Sequence, residues 1–309
     1  MKRIVISEFM DAPAVEELRA RFEVDYRPAL VDDSAALATA LPNADAWIVR
    51  NRTQVRGALL DAASKVRVVG RLGVGLDNID VAACAARGIR VYPATGANAE
   101  SVAEYVIAMA LVLLRGAYLA TAEVASGSWP RTALSGGREA SGKTLGLVGF
   151  GSIGRITAGK ARSLGLQVVA HDPQLGDDDP AWARHQVRPR SLDALLAGSD
   201  VVSLHVPLTP QTKGLLGRER LARMKRGAIL VNTARGGVVD EAALAALLHD
   251  GHLGGAALDV FESEPLAAGS PLAGVPRLVL TPHIAGLTLE SNARVSLMVA
   301  ARVAEALST

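Results

Sequence analysis

Short apolar runs alternate with helical patterns along the first hundred residues of the chain. The runs typical of buried strands are Ile4 to Glu8, Ala46 to Arg50, Val66 to Gly70 and Ile89 to Tyr92. Between them lie segments with the apolar spacing of helices, namely AVEELRARF, SAALATAL, GALLDAA and DVAACAARG. Repeated alternation of strand and helix predicts a mostly parallel sheet with helices on both faces.

A second series of strands follows a long helix predicted from about Ala99 to Leu119 and the polar stretch SGSWPRTALSGGREASGKT. The predicted strands are Leu145 to Gly149, Gln167 to His171, Val201 to His205, Ala228 to Asn232, Gly255 to Asp259 and Leu278 to Thr281. Six strands separated by helix-like segments match a doubly wound dinucleotide-binding sheet.

The pattern divides the chain into two α/β domains of the Rossmann-like or flavodoxin-like class, each with a doubly wound parallel sheet and with a cleft between them. The final segment, Leu289 to Leu307, is an amphipathic helix with no strand after it. We expect this helix to return to the first domain. The predicted domains are a discontinuous first domain, residues 1–98 plus 285–309, and a second, dinucleotide-binding domain of the Rossmann type, residues 99–284.

Composition narrows the class of protein. Half of the 309 residues are apolar but only 4% are aromatic, which is typical of aliphatic cores in parallel α/β sheets. The net charge of +2 is spread along the chain, so neither nucleic acid nor a membrane surface is an expected partner. The single cysteine, Cys84, excludes an internal disulfide and a multi-thiolate metal site. We expect a cytoplasmic protein without a metal.

A glycine motif follows the first strand of the second series. Gly149, Gly151 and Gly154 form GxGxxG, with Ser152 and Ile153 inside it, between a predicted strand and a predicted helix. In this position the glycines permit a tight turn, approach of a pyrophosphate and close helix–strand packing. The helix N-terminus then offers free N–H groups to phosphates. The motif predicts a dinucleotide site.

Asp172 ends the second strand of this unit, 18 residues after Gly154. A carboxylate at this place accepts hydrogen bonds from the ribose hydroxyls of the adenosine and repels a 2′-phosphate. NAD is therefore the expected cofactor rather than NADP.

Three charged residues, Arg235, Glu264 and His283, each follow a predicted strand in the last quarter of the chain. Taken singly, such residues are more often a surface or ion-pair arginine, a turn glutamate and a core or loop histidine. Together they supply a cation for a carboxylate, a titratable imidazole and a carboxylate to hold that imidazole. Downstream of a dinucleotide motif, this set favours catalysis of hydride transfer.

Several motifs make the chain resemble the D-isomer-specific 2-hydroxyacid dehydrogenases, in the branch that includes 3-phosphoglycerate and sulfolactate dehydrogenases. They are GRLGVGLDNID, NAESVAEYVIA, GKTLGLVGFGSIG, HVPLTPQTKGLL, MKRGAILVNTARGGVVDEAAL, GAALDVFESEPL and TPHIAG. The resemblance implies an NAD-dependent oxidoreductase that moves a hydride between the nicotinamide and C2 of a 2-hydroxy acid. It assigns catalytic roles to Arg235, Glu264 and His283.

The same resemblance implies that residues 1–98 plus 285–309 form the substrate-binding domain and residues 99–284 the NAD-binding domain, and it implies further site residues. Those expected near the cofactor are His205, Pro207, Thr233, Ala234, Asp259 and Gly286. Val74 and Gly75 match a loop whose N–H groups hold the substrate carboxylate, and Asn98 is expected to position that loop or the hinge. For His205, a purely structural role as a buried strand-end histidine is an equal alternative.

Four arginines bear on the choice of acid. Arg50, Arg52 and Arg71 follow strand ends in the first domain, and Arg131 lies in the predicted interdomain loop, within reach of the cleft of a neighbouring subunit. They are either scattered surface residues or a cluster that binds a second anionic group, since an unpaired buried guanidinium is costly. A cluster favours 3-phosphoglycerate or 3-sulfolactate over lactate or glycerate. The segments SEFMD and RNRTQV are similar to sulfolactate dehydrogenases.

Other functions stay open at this point. They are a hydroxypyruvate or glyoxylate reductase, an NAD-dependent formate dehydrogenase, which would not need Glu264, and a non-enzymatic NAD-sensing corepressor. The predicted helix from Ala99 to Leu119 has more apolar surface than one buried face requires. With the resemblance, this predicts a homodimer through the NAD-binding domain.

Overall fold

The computed structural model describes residues 1–308. In this part of the chain the β-strands are β1 Arg3–Ile6, β2 Glu23–Tyr26, β3 Ala46–Val49, β4 Val68–Arg71, β5 Arg90–Pro93, β6 Thr144–Val148, β7 Gln167–His171, β8 Arg188–Pro189, β9 Val201–Leu204, β10 Ile229–Asn232, β11 Gly255–Leu258 and β12 Leu278–Leu280. The α-helices are α1 Ala12–Arg19, α2 Ser34–Ala40, α3 Gly57–Ala62, α4 Val81–Ala86, α5 Ala99–Arg115, α6 Thr121–Ala125, α7 Arg131–Leu134, α8 Ser152–Ser163, α9 Pro180–His185, α10 Leu192–Gly198, α11 Arg218–Arg223, α12 Glu241–His249 and α13 Leu289–Ser308. Short 3-10 helices span Pro28–Asp32, Leu41–Asn43 and Ala117–Leu119.

The chain divides into two compact units. Unit 1 contains Met1–Asn98 and the chain from Leu287 onward, and unit 2 is Ala99–Gly286. The chain therefore returns to unit 1 at residue 287, where the sequence predicted 285.

Unit 1 is built on a five-stranded sheet in the order β2-β1-β3-β4-β5. Every pairing in it is parallel. This order is the flavodoxin-like doubly wound arrangement. The last helix, α13, completes one face of the sheet, because a Cβ on Gly70 of β4 would lie only 2.7 Å from Val299 and 2.8 Å from Val303. The helix could not pack so closely on a larger residue.

Unit 2 is built on a seven-stranded parallel sheet in the order β12-β11-β10-β9-β6-β7-β8. The chain winds outward from β6 in one direction through β7 and β8, and in the other through β9 to β12. The order reverses between β6 and β9, which is where open sheets of this kind bind dinucleotides beyond the carboxyl ends of their strands. The predicted fold class is confirmed.

Elements that the sequence did not predict lie mainly at edges. Strand β2 has the polar sequence EVDY and pairs only with β1, and β8 is two residues long at the opposite edge of its sheet. Helix α9 follows the acidic run GDDDP, with Asp179 accepting a hydrogen bond from the N–H of Ala181. Helix α5 ends at Arg115 rather than at Leu119, because Gly116 adopts a left-handed φ of 71°.

Within residues 1–308 no helix is long and apolar enough to cross a membrane.

Candidate active site

The glycine turn lies between the end of β6 and the start of α8. A Cβ on Gly149 would lie 2.5 Å from the carbonyl oxygen of His205, and one on Gly154 would lie 2.6 Å from the carbonyl oxygen of Gly149. These two glycines therefore permit close backbone packing. Gly151 differs, because nothing lies within 4 Å of the place where its Cβ would be. It leaves open surface at the N-terminus of α8, whose first turn has no side-chain cap.

Asp172 follows β7 at the same edge of the sheet. One carboxylate oxygen accepts the N–H of Phe150 at 2.8 Å and the other accepts the N–H of Gln174 at 2.9 Å. The carboxylate thus holds the glycine turn against the second strand. Because each oxygen has a further acceptor position, the group can also accept bonds from a vicinal diol.

His205 follows β9, on the other side of the glycine turn. Its Nε2 lies 3.0 Å from the hydroxyl of Ser203, and its buried Nδ1 has no hydrogen-bond partner. Burial lowers the pKa of His205 from 6.5 to about 4, so the ring is neutral at physiological pH. The Thr233 hydroxyl, beyond the next strand, is also buried without a partner.

Three neighbouring strands carry the charged residues that the sequence singled out. Strands β10, β11 and β12 are adjacent in the sheet, and Arg235, Glu264 and His283 each follow the carboxyl end of one of them. All three residues therefore belong to the same edge of unit 2.

Glu264 and His283 are in direct contact. The Nδ1 of His283 lies 2.7 Å from Oε2 of Glu264, and the other carboxylate oxygen accepts the N–H of Phe261 at 3.1 Å. A carboxylate only accepts, so Nδ1 carries the proton and Nε2 keeps its lone pair. Both side chains are partly exposed, 45% for His283 and 36% for Glu264. The imidazole can take up and return a proton at Nε2.

The backbone around His283 is held by Asp259. His283 has a left-handed φ of 55°. The buried carboxylate of Asp259 accepts the N–H groups of Ile284 and Ala285, both at 2.8 Å, and the hydroxyl of Thr281 at 2.6 Å. These bonds stabilise a conformation that a non-glycine residue adopts at a cost.

Tyr105 extends this network from helix α5. Its hydroxyl lies 2.7 Å from the Thr281 hydroxyl. Since Thr281 donates its hydrogen to Asp259, Tyr105 must be the donor to Thr281. Burial raises the pKa of Tyr105, which keeps the phenol protonated and able to donate.

Arg235 lies in the turn after β10. The buried Asn232 accepts the N–H of Ala234 and donates to the carbonyl of Arg235, both at 3.0 Å. At the next residue, a Cβ on Gly236 would lie 1.7 Å from the carbonyl oxygen of Phe261. This glycine lets the arginine turn pack directly on the loop that leads to Glu264.

In unit 1, Arg50 is a partly buried cation without an ion pair among the described residues. Its guanidinium donates to Oδ1 of Asn292 at 2.7 Å and lies over the ring of Phe9, 5.5 Å from the centroid. Burial lowers the pKa of Arg50, an effect that the nearby carboxylate of Glu8 opposes. The side chain is held in one direction and is able to bind an anion.

The other first-domain arginines are arranged differently. Arg52 forms an ion pair with Asp32, and both side chains are largely exposed. The guanidinium of Arg71 lies against Gly73, where a Cβ would overlap it. The structure therefore does not place the three arginines in equivalent surroundings, and Arg52 is already occupied at the surface.

The remaining predicted residues lie in turns, apart from Arg131. Val74 and Gly75 are partly buried in the turn after β4, and the Asn98 side-chain oxygen is buried without a partner just before α5. Pro207 is exposed, Ala234 is buried and Gly286 is partly buried. Arg131 is exposed at the first position of helix α7, not in a loop.

Sequence reasoning did not identify Tyr105, Asn232, Asn292 or Glu8 as parts of these arrangements. Asn232 carried a signal, because a polar residue closes the apolar strand ILVN. The others act over long separations in sequence, and no local pattern reports such contacts.

The family follows from a direct comparison. A family model described as "D-isomer specific 2-hydroxyacid dehydrogenase, NAD binding domain" matches residues 107–285. The chain belongs to this family.

Relatives and solved structures of the dehydrogenase family match this chain over most of its length. An (S)-sulfolactate dehydrogenase of Chromohalobacter salexigens is 54% identical over 99% of this chain and 99% of its own length. A D-3-phosphoglycerate dehydrogenase of Mycobacterium bovis is 44% identical over 89% of this chain, which spans 52% of that protein. A D-lactate dehydrogenase of Aquifex aeolicus, solved with NAD and lactic acid, superposes with a TM-score of 0.86 at 29% identity, covering 99% and 96% of the two chains.

This 2-hydroxyacid dehydrogenase is an NAD-dependent enzyme that transfers a hydride between the nicotinamide and C2 of a small 2-hydroxy acid. The residues of unit 2 fit that cofactor. Gly151 leaves the space that a pyrophosphate needs, α8 offers uncapped N–H groups, and Asp172 has acceptor positions for a ribose diol. NAD supplies the chemistry of a reversible hydride acceptor.

Proposed function

We propose that the enzyme oxidises (S)-3-sulfolactate to 3-sulfopyruvate with NAD. The observation that carries the proposal is Arg50, a partly buried guanidinium that Asn292 and Phe9 orient and that no carboxylate pairs within residues 1–308. A substrate anion beyond the reacting carboxylate would compensate this charge. The 54% identity to an (S)-sulfolactate dehydrogenase supports a sulfonate as that anion.

The stereochemistry of this substrate is consistent with a D-specific family. In lactate the carboxylate ranks above the methyl group at C2, whereas in sulfolactate the sulfur atom raises CH₂SO₃⁻ above the carboxylate. The (S) descriptor of sulfolactate therefore denotes the same spatial arrangement as D-lactate. One arrangement of carboxylate-binding and proton-accepting groups serves both.

In the proposed reaction, Arg235 binds the substrate carboxylate with its planar fork, aided by the N–H groups of Val74 and Gly75. The Nε2 of His283 takes the hydroxyl proton, while Glu264 holds the imidazole through Nδ1 and stabilises the imidazolium that forms. Bound NAD would supply the acceptor for the hydride that leaves C2 when the C2–H bond breaks. A C=O bond forms at C2. Reduction runs the same steps in reverse.

Further roles near the cofactor are proposed for residues at the carboxyl edge of the sheet. They are Gly149, Gly151, Ser152, Ile153, Gly154, Asp172, His205, Pro207, Thr233, Ala234, Asp259 and Gly286. Asn98 and Arg71 are proposed to position the loop of Val74 and Gly75 that binds the substrate carboxylate. For Arg52 we propose a role in the surface ion pair with Asp32 rather than a contact with the substrate.

The substrate assignment is tested by steady-state kinetics on a panel of 3-sulfolactate, 3-phosphoglycerate, D-glycerate and D-lactate. Truncating one partner of a close charge pair costs about 2–5 kcal/mol, so Arg50→Ala should lower kcat/KM for 3-sulfolactate by about 30-fold or more. D-lactate has no second anion, so its kcat/KM should change by less than about threefold.

Arg52→Ala is the matched control, because Arg52 lies two residues further on but is paired with Asp32 at the surface. It should leave the preference among the acids unchanged. Equal losses on 3-sulfolactate and D-lactate in Arg50→Ala would contradict the proposal. If the wild-type enzyme preferred 3-phosphoglycerate, the second anionic group of the substrate would be a phosphate rather than a sulfonate.

We also propose that two copies of the chain associate through unit 2, in the cytoplasm where NAD is available. Apolar side chains beyond α5 support a second copy as the partner, since Trp129 is 77% exposed and Tyr118 64% exposed, with Leu119 and Val124 close in sequence. Arg131 follows this segment and is proposed to reach the substrate of the other subunit.

Light scattering should give twice the chain mass of 32.1 kDa, and a Tyr118→Ser, Trp129→Ser variant should dissociate. A wild-type particle of one chain mass would refute the dimer.

A further inference from the structure

Residues 50–53, named here the arginine loop, follow strand β3 and begin with Arg50. The four backbone N–H groups of this loop all donate to one side chain, the carboxylate of Glu8. Oε1 of Glu8 accepts the N–H of Arg50 at 2.8 Å and of Thr53 at 3.0 Å. Oε2 accepts the N–H of Asn51 at 3.3 Å and of Arg52 at 3.1 Å.

Glu8 is therefore a buried carboxylate whose two oxygens both accept backbone N–H groups of the arginine loop. It is 4% exposed, and its two oxygens accept four hydrogen bonds from the loop. With those positions filled by N–H groups, it forms no ion pair with Arg50 although Arg50 begins the loop. The guanidinium of Arg50 stays available to an anion from outside.

The carbonyl side of the arginine loop is held as well. The side-chain amide of Asn78, itself buried, donates to the carbonyl of Thr53 at 2.7 Å and to that of Arg50 at 3.4 Å. Glu8 thus accepts from the N–H groups of the loop, and Asn78 donates to the carbonyl groups at its two ends. Phe9, the residue after Glu8, packs its ring under the Arg50 guanidinium. One short segment, Glu8 and Phe9, fixes both the backbone and the side-chain direction of Arg50.

We propose that Glu8, with Asn78, is a positioning residue that sets the selectivity of the enzyme for acids with a second anionic group by fixing the arginine loop. The proposal rests on the proposed function, since Arg50 binds the second anion. Bidentate and charge-assisted contacts depend steeply on geometry, so a loop that shifts loses the anion without losing the reacting groups. Glu8 contacts neither substrate nor cofactor in this scheme.

The test uses Glu8→Gln in the full-length enzyme. A glutamine keeps the shape but replaces one oxygen with an NH₂ group, so two of the four loop N–H groups face a donor and lose their acceptor. We expect KM for 3-sulfolactate to rise by about 10-fold, with kcat within about threefold and D-lactate kcat/KM within about threefold. Glu8→Asp keeps the carboxylate and should restore part of the lost affinity.

Hydrogen–deuterium exchange of residues 50–53 gives a readout that needs no substrate. Glu8→Gln should speed exchange of these amides by about 10-fold or more, since the bonds that protect them are lost. Glu16→Gln is the matched control, because Glu16 is an exposed glutamate of the same unit that pairs with Arg19. It should change neither exchange nor kinetics.

The outcomes are separable. Unchanged exchange at residues 50–53 in Glu8→Gln overturns the proposal, and so does faster exchange with equal losses on 3-sulfolactate and D-lactate. If the wild-type enzyme itself does not prefer acids with a second anion, the proposed substrate fails, and with it the selectivity role. The exchange measurement then still decides whether Glu8 holds the loop.

Discussion

At the residue scale, the pair formed by Glu264 and His283 is the most direct evidence for the chemistry of the site. The 2.7 Å contact fixes which imidazole nitrogen carries the proton. His283→Ala should lower kcat by about 10² to 10⁴-fold, because it removes the proton acceptor. Glu264→Gln should lower kcat less, because the ring remains. NADH affinity, measured by fluorescence titration, should stay within about threefold of wild type in both variants. A large loss of NADH binding in His283→Ala would count against a role confined to proton transfer.

His205 makes a prediction about stability. The unfolded ring takes up a proton below its ordinary pKa of 6.5, whereas the folded ring stays neutral down to about 4. Protons therefore favour the unfolded chain between these values, and stability is lost as the pH falls from 6.5 toward 4. At pH 5 the expected loss from this group is about 2 kcal/mol. Unfolding titrations of the NAD-free protein at pH 7.5 and pH 5 should show a smaller difference in His205→Gln.

The same variant decides between the two roles open for His205. If the ring is only structural, His205→Gln keeps NADH affinity once the protein is folded at pH 7.5. A loss of NADH affinity of tenfold or more at that pH would indicate a direct contact with the cofactor.

At the element scale, the turn from β6 to α8 contains two kinds of glycine. Some are required for packing of the fold, and one is required for ligand binding. A Cβ on Gly154 would press on the carbonyl oxygen of Gly149 at 2.6 Å, so Gly154→Ala should destabilise the protein even without NAD. Nothing lies within 4 Å of a Cβ on Gly151. Gly151→Ala should cost less than about 1 kcal/mol of stability but weaken NADH binding by about 10-fold or more. Thermal unfolding and NADH titration of the two variants check this contrast, and equal effects on stability would contradict it.

The elements show which parts of the fold could be predicted from sequence. Strands such as β3 and β10 are continuous apolar runs because helices cover both faces, and their pattern marks them. Strand β2 lies at an edge with the sequence EVDY, and its pairing with β1 is decided by tertiary contacts rather than by its own residues. The residues of the site likewise divide into those that a local sequence motif predicts and those that only tertiary contacts bring together. Gly149, Glu264 and His283 belong to local motifs, whereas the contacts of Glu8 and Tyr105 join distant segments that no spacing connects.

At the scale of the whole molecule, each unit has hydrophobic cores of its own. The clusters of unit 2 draw on residues between Tyr105 and Val279, whereas one cluster of unit 1 combines strands such as β1 with Val299 and Val303 of α13. Residues 99–286, expressed alone, should therefore fold and bind NADH. Residues 1–98 alone should not fold stably, because one face of their sheet lacks its helix. Circular dichroism and NADH titration of the two fragments measure this difference.

A permuted form of unit 1 is the control for this prediction. The Nζ of Lys2 donates to the carbonyl of Leu307 at 2.5 Å, so the end of α13 lies beside the start of β1. A chain in which residues 287–309 precede residues 1–98 through a short flexible linker should fold where 1–98 does not. Failure of the permuted chain, or stable folding of 1–98, would contradict the dependence on α13.

The place of α13 in the chain has a consequence for biosynthesis. On a ribosome, residues 1–98 emerge before the whole of unit 2, whereas α13, which covers one face of their sheet, is translated only after unit 2. Unit 2 is contiguous and can fold as soon as it has left the exit tunnel. Residues 1–98 must meanwhile keep apolar surface uncovered, so a nascent chain that stops before residue 289 is expected to aggregate or to be captured by chaperones.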